Sequence, residues 1–289
     1  MPGRPGALIL AAMMALTAAP TGAAEFLGAF AWQSDRADHG GFSGIEVSDD
    51  GTRFTALSDR ARIVQGRFER ADGRIVGIDA DPPTVLTNSE GRRMRRTFGD
   101  SEGLALARGG GMHISFEGRA RVWFYPAADR PPAPLPRHPD FAGLPENGAL
   151  EALAVDATGA LYTLPERAPD AKTFPVWRYD GMAWARAFTL PARGYAIVGA
   201  DFDDRGRLYL LERKFRTIGF ATRVRRITLN GSDVIADEDL LETRLREHDN
   251  LEGIAVWRDA DGKLRLTMIS DDNFNWLQRT EIVEYRVPG

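Results

Sequence analysis

The stretch EGLALARGGGMHISFEGR, residues 102–119, decides the fold. It alternates apolar and polar residues on both sides of a glycine run, so it reads as two short strands joined by a tight turn. Carboxylates stand at both of its ends, at Glu102 and Glu117. The same unit recurs along the chain: SGIEVSDDGTRFTALSDR (residues 43–60), EALAVDATGALYTLPER (151–167), VGADFDDRGRLYLLER (198–213) and EGIAVWRDADGKLRLTMISDDN (252–273). Their starts lie roughly 50 residues apart, the repeat length of a propeller blade of four short strands.

The runs between these hairpins complete the units. ARIVQGRFER, RVWFYPA, PVWRYDG, TRVRRITLNG and TEIVEYRVPG read as third strands, and RIVGIDA, AWARAFTL and SDVIADEDLL as fourth, outer strands. Residues 131–145 are rich in proline and offer no fourth strand. The last unit also lacks one, and FLGAFAWQS, ahead of the first motif, is expected to supply it and so close the ring. The reading is all-β: a β-propeller of five four-stranded blades over residues 25–289, with the N-terminal strand closing the last blade. A sixth, degenerate blade has room in the long first interval, around Pro82, Pro83 and NSEGRRMRR.

Composition bounds the partners. A formal net charge of −4 with 27% charged residues leaves no basic excess for a nucleic-acid backbone. Lysine occurs only at Lys172, Lys214 and Lys263, so arginine carries nearly all the positive charge. Cysteine is absent, which excludes thiol chemistry and a disulfide scaffold. Residues 1–24 combine Arg4, an apolar run over residues 7–19 and small residues before Glu25, the pattern of a secretory signal peptide. The apolar run is short for a membrane span, and no later stretch approaches one. The expected mature chain is a periplasmic or secreted monomer exported by a Sec-type signal.

The repeat brings the acids together. In a blade the start of the first strand and the end of the antiparallel second strand lie at one rim. Glu102, Glu151 and Glu252 open first strands; Asp59, Glu117, Glu166, Glu212 and Asp271 close second strands. All are expected at one channel mouth, with Glu46 and Asp201, three residues farther along, projecting into the channel. Taken singly, an acid at a repeat turn reads first as a cap or as half of an ion pair locking two blades. Taken together, Glu102, Glu117, Glu151, Glu166, Glu252 and Asp271 are candidate metal ligands, hard oxygen donors that suit Ca²⁺ or Mg²⁺. Arg60, Arg119, Arg167 and Arg213 beside them, with Asn273, are candidates for binding a small anionic or ester ligand. Phe274 and Trp276 would add an apolar wall, and Asp272 a further oxygen donor. Trp123, Trp177, Trp184 and Trp257 fall in strand-like runs and are expected in the core. His39, His113, His138 and His248 show no metal-ligand spacing; His39 beside Ser43 leaves a serine mechanism as a minor alternative.

These motifs resemble those of the phytase-like, or "esterase-like activity of phytase", family of exported bacterial propeller proteins. The resemblance rests on GGFSGIEV with LSDR, DSEGLAL with SFEGR, NGALEALAV with LPER, and NLEGIAV with ISDDNFNWLQRTEIVEY. It implies a propeller, export, and hydrolysis of phosphate or carboxyl esters, with the six carboxylates above as the positions at issue. The lysine-rich phosphate site of calcium-dependent propeller phytases has no counterpart here. Two other activities fit the same residues: a non-catalytic binding propeller of the cell envelope, and a lactonase-like hydrolase.

Overall fold

The computed structural model describes residues 24–289, and the signal-peptide reading of residues 1–24 falls outside them but for Ala24. The strand β1 (Glu25–Ala31) leads. Blade one follows with β2 (Phe42–Val47), β3 (Arg53–Ser58), β4 (Arg62–Ala71) and β5 (Arg74–Ala80), plus a short β6 (Thr84–Val85) that also pairs with β4. Blade two holds β7 (Ser101–Leu106), β8 (Met112–Phe116), β9 (Arg121–Tyr125) and β10 (Ala133–Pro134). Blade three holds β11 (Leu150–Val155), β12 (Leu161–Pro165), β13 (Thr173–Tyr179) and β14 (Trp184–Pro191). Blade four holds β15 (Ala196–Phe202), β16 (Leu208–Arg216), β17 (Gly219–Asn230) and β18 (Asp233–Glu242). In blade five β19 (Leu251–Arg258), β20 (Leu264–Ser270) and β21 (Glu281–Val287) are completed by β1, which pairs antiparallel with β21 from Glu25↔Arg286 to Ala31↔Glu281.

The protein is therefore a five-bladed β-propeller. Inner strands β2, β7, β11, β15 and β19 pack in a ring. No sixth blade fills the first interval: after β6 the chain runs through a 3₁₀ turn (Arg96–Phe98) along the side of blade two. Residues 131–145 do contain an outer strand, against expectation. It is the two-residue β10, paired with β9 at Ala133↔Phe124 and Pro134↔Trp123. An edge strand needs few backbone donors, so proline is tolerated there and the strand stays short.

The first hairpin of three blades is set by one aspartate, and that of blade one by two side chains. Asp156 Oδ1 accepts from the backbone N–H of Thr158 and Ala160, and Asp203 and Asp259 do the same for Arg205 and Arg207, and for Asp261 and Lys263. In blade one Asp50 and Ser48 share this role. Glycine follows at a positive φ in each turn, which is why the Asp/Gly spacing is legible as a repeat.

The core is divided into wedges between neighbouring blades. Trp32, Phe42, Phe54 and Ile282 fill the seam of blades five and one, while Phe141, Leu161, Trp177 and Trp184 fill that of two and three. All four tryptophans read as core are buried. Arg70 of β4 reaches Glu284 of β21 through two hydrogen bonds of 2.8 and 2.7 Å, latching blade one to blade five.

Candidate functional site

Each inner strand carries a β-bulge at its mouth end. The register slips across Ser43, Glu151, Val198 and Glu252, and in blade two across the pair Glu102 and Gly103. A bulge re-aims the extra side chain, so Glu102, Glu151 and Glu252 leave the strand's alternation at the mouth, while Val198 in blade four packs into the core. Opposite each bulge the second strand reaches the rim, where it ends in every blade but the fourth, whose β16 continues to Arg216, and the next residue completes the rim. The pairs Phe42↔Ser58, Ser101↔Phe116, Leu150↔Pro165, Ile197↔Glu212 and Leu251↔Ser270 make the rim residues Asp59, Glu117, Glu166, Arg213 and Asp271.

This register corrects one expectation. Glu212 is not at the mouth: it lies one residue short of the rim, fully buried inside blade four, where Arg223 and Arg225 donate to it, Arg225 at 2.8 Å. Arg213 takes the place that acids hold in the other blades. Its guanidinium donates to Glu166 Oε1 at 2.8 Å, to Asn250 Oδ1 at 2.8 Å and to Glu252. Glu166 and Glu252 thus have a counter-ion.

The other flank of the mouth has none of this. Asp100, Glu102 and Glu117 place one carboxylate oxygen each within 4.8 Å of one another, with Glu102 and Glu117 buried and Asp100 half-buried. Burial lifts the Glu102 carboxyl well above its usual range, and the neighbouring Glu151, Glu117, Glu252 and Asp100 lift it further. Burial, then Glu117 and Asp59, push Asp100 up to about 6. Glu151 is raised by burial and by Glu117 beside it. Asp271 rises to about 8 through burial and Glu252, against a backbone hydrogen bond from Asn273. Glu117 is held in place by the N–H groups of Gly148 and Ala149, the latter at 2.7 Å. Gly148 sits at φ +85, and a Cβ there would come within 2.7 Å of Glu166 Oε2, so the close approach requires glycine.

Asp100 escaped the sequence reading because it precedes the bulge and lies outside the aligned repeat. The signal was present in the quoted DSEGLAL, whose first residue it is.

The remaining candidates separate. The Arg60 guanidinium stacks on the Phe274 ring, 3.2 Å from its centroid. Arg167 is 72% exposed and lies 3.2 Å from Glu166 Oε2, and Arg119 is exposed. Asn273 turns outward, its amide donating to Gln278 at 3.3 Å, and Trp276 is 89% exposed, so neither lines the mouth. Asp272 organises its loop, accepting from Gly41 N–H at 2.9 Å, Phe274 N–H at 3.0 Å and Thr280 Oγ1 at 3.1 Å.

Glu46 and Asp201 tie blades together. Glu46 accepts from Leu106 N–H of blade two at 3.3 Å, and Asp201 from Val256 N–H of blade five at 2.6 Å. Burial pushes Asp201 up to about 7 and raises Glu46 as well. Between them and the rim Ile45, Leu104, Leu153 and Ile254 narrow the channel to a cavity of about 10 Å³. The serine alternative finds no geometry: Ser43 Oγ donates to Ser101 O at 2.8 Å, while the His39 ring bonds to Trp32 O at 2.9 Å. His248 is buried against Tyr285 Oη at 2.7 Å.

Among solved structures, the calcium-binding protein regucalcin of Agrobacterium tumefaciens strain C58 matches at 11% identity with a TM-score of 0.52, over 86% of this chain and 91% of its own. A gluconolactonase of Xanthomonas campestris matches at 14% identity and TM-score 0.49, over 86% of this chain and 72% of that one. The PQQ-bound aldose sugar dehydrogenase of Streptomyces coelicolor matches at 13% and 0.47, over 90% and 98%. Identities this low speak to the fold alone. No curated protein matches the chain. The sequence profile of the Phytase-like family, described as "esterase-like activity of phytase", matches residues 37–274, and the chain belongs to that family.

Proposed function

We propose that the protein is a divalent-cation-dependent hydrolase of phosphate or carboxyl esters, acting at the mouth of the propeller. One observation carries this reading: Asp100, Glu102 and Glu117 crowd their oxygens within 4.8 Å on the flank that Arg213 does not neutralise. Like charges so close and so buried call for a cation to share them. The donors are all hard oxygens, with no sulfur or imidazole among them, which suits Ca²⁺ before Zn²⁺. Asp100, Glu102 and Glu117 would hold the ion, with Glu151 next to them. Bound there, it supplies Lewis-acid polarisation of an ester oxygen and neutralising charge.

The chain's own residues do the rest. Asp59 completes the rim; burial raises its carboxyl, and the positive charges of Arg60 and Arg96 partly oppose the rise. Those two arginines border the cluster on the side where an ester's anionic portion can lie. Arg213 stays with Glu166 and Glu252, so its part is to hold the rim together. The packed waist at Ile45, Leu104, Leu153 and Ile254 confines any ligand to the mouth. The reading extends to location: residues 1–24 as a cleaved signal place the chain in the periplasm or outside the cell. Among the described residues no helix is long and apolar enough to cross a membrane.

The test uses purified chain beginning at Glu25, stripped with chelator and then supplied with Ca²⁺, Mg²⁺ or Zn²⁺. Hydrolysis of p-nitrophenyl phosphate, p-nitrophenyl acetate and a simple lactone is followed. Activity restored by Ca²⁺ and lost in Glu102→Gln is expected. Full activity in chelator, or no turnover of any of the three with any metal, overturns the proposal, the latter in favour of a binding propeller.

A further inference from the structure

Beside the mouth, on the flank of blades one and two, lies a cavity of about 230 Å³ with five arginines in its lining: Arg60, Arg62, Arg93, Arg95 and Arg96. It contains no carboxylate; Leu86, Met94 and Val85 supply its apolar surface. Three of these arginines come from the RRMRR run, which the repeat does not explain.

Among the described residues many other arginines are matched to acids: Arg70 with Glu284, Arg207 with Asp203, Arg225 with Glu212 and Asp237, Arg265 with Asp259. Among the described residues, none of the five cavity arginines has an acid within ion-pair distance. Two of them also carry buried nitrogens without a hydrogen-bond partner, Arg60 Nε and Arg62 Nη1. Buried donors are nearly always satisfied in a folded protein, so unmet guanidinium nitrogens on two arginines of one small cavity point to a missing acceptor.

The cavity is also built to last. Arg121, buried beneath the loop, lies over the rings of Phe98, Phe116 and Trp123 at 3.9, 4.2 and 4.5 Å and donates to Phe98 O. The Asn88 side chain closes the preceding turn by accepting from Glu90 and Arg92 N–H. Arg60 is braced on Phe274. Guanidinium forks clustered in this way match tetrahedral oxyanions, two parallel N–H donors to two oxygens. The volume fits a phosphate group or the end of a larger ligand, being smaller than pockets that enclose a whole drug-sized molecule.

We propose that this pocket binds a phosphate-type dianion, and that it does so without a metal. The proposal does not depend on hydrolysis at the mouth. Inorganic phosphate is the probe, titrated calorimetrically into the Glu25-to-Gly289 chain in chelator, with sodium chloride of equal ionic strength and sodium acetate as comparisons. Phosphate is expected to bind at one site and to raise the melting temperature, with acetate and chloride far weaker. Arg93 and Arg95 are exposed and lack ion-pair partners, so the double variant R93Q/R95Q keeps the fold, checked by its circular dichroism and melting in phosphate-free buffer. It should weaken phosphate roughly tenfold or more, whereas R108Q, which removes a single positive charge on the β7–β8 turn, should not. Absence of phosphate binding in the parent chain, equal loss in R108Q, or undiminished binding in R93Q/R95Q refutes the pocket. Each of these results leaves the chelator and Glu102→Gln outcome to be judged separately.

Discussion

Replacing Arg213 with methionine removes the guanidinium that Glu166, Glu252 and Asn250 share, and leaves the largely buried Glu252 without a counter-ion and Glu166 with only the exposed Arg167. Breaking a buried pair from one side costs about 3–5 kcal/mol. The Arg213 side chain keeps 19% exposure, so about 3 kcal/mol is the fitting end of that range. For a domain of this size that lowers the melting temperature by roughly 6–12 °C. The loss should depend on pH. Burial already raises the Glu252 carboxyl while Arg213 opposes the rise, so without Arg213 its pKa climbs further and the variant suffers most where solution removes the proton. Thermal unfolding of parent and R213M in chelator at pH 5 and pH 8 makes the comparison. The double variant R213M/E252Q should recover about half of the deficit, because removing both partners leaves less unmet charge. If R213M melts within about 2 °C of the parent at pH 8, or loses as much at pH 5, the assignment of Arg213 as the rim's counter-ion is wrong.

Three further outcomes are expected. In chelator at pH 8, Glu102→Gln should stabilise the protein by about 1–2 kcal/mol, since it removes a buried carboxylate of raised pKa, while weakening Ca²⁺ binding in calorimetry; the same sign for both effects would contradict the cluster. The chelated parent should lose stability as pH rises from 5 to 9. Asp100, Asp201 and Asp271 are pushed up to about 6, 7 and 8 in the fold against 3.8 for a free aspartate, so the fold alone holds their protons in that window. Each such group costs about 1.4 kcal/mol per pH unit until its folded pKa is passed, and urea titrations showing flat or rising stability would refute this. Finally, Glu212→Gln should destabilise by about 2–3 kcal/mol through Arg223 and Arg225 yet leave Ca²⁺ affinity unchanged, which unfolding and calorimetry would show.

The blade count and ring closure were legible because the Asp/Gly hairpin turns impose a fixed spacing, and because alternation marks strands in any blade. Most of the rim followed from the same register, since Glu102, Glu151 and Glu252 occupy one repeat position and Glu117, Glu166 and Asp271 another. Blade four misled: its LLER offers a glutamate one residue before the rim, and only the pairing Ile197↔Glu212 shows that the arginine stands where the acids do. Asp100 was missed for the converse reason, being a ligand-type residue outside the repeat. Asn273 and Phe274 both take a positive φ in the loop that carries Trp276, a backbone detail that side-chain chemistry alone does not announce. β10 was hidden by prolines that an edge strand tolerates.

The pairing of β1 with β21 has a consequence in time. Synthesis delivers Glu25 to Ala31 before any blade, yet their partner strand arrives with residues 281–287, after all the others. Until then the ring stays open and blade five is incomplete. The mouth draws Glu102 and Glu117 from blade two, Glu151 and Glu166 from blade three, Arg213 from blade four, and Glu252 and Asp271 from blade five. Its full set of charges therefore waits on the last blade to be made. The strand made first is the last to be paired, and the complete mouth comes into being only with the finished ring.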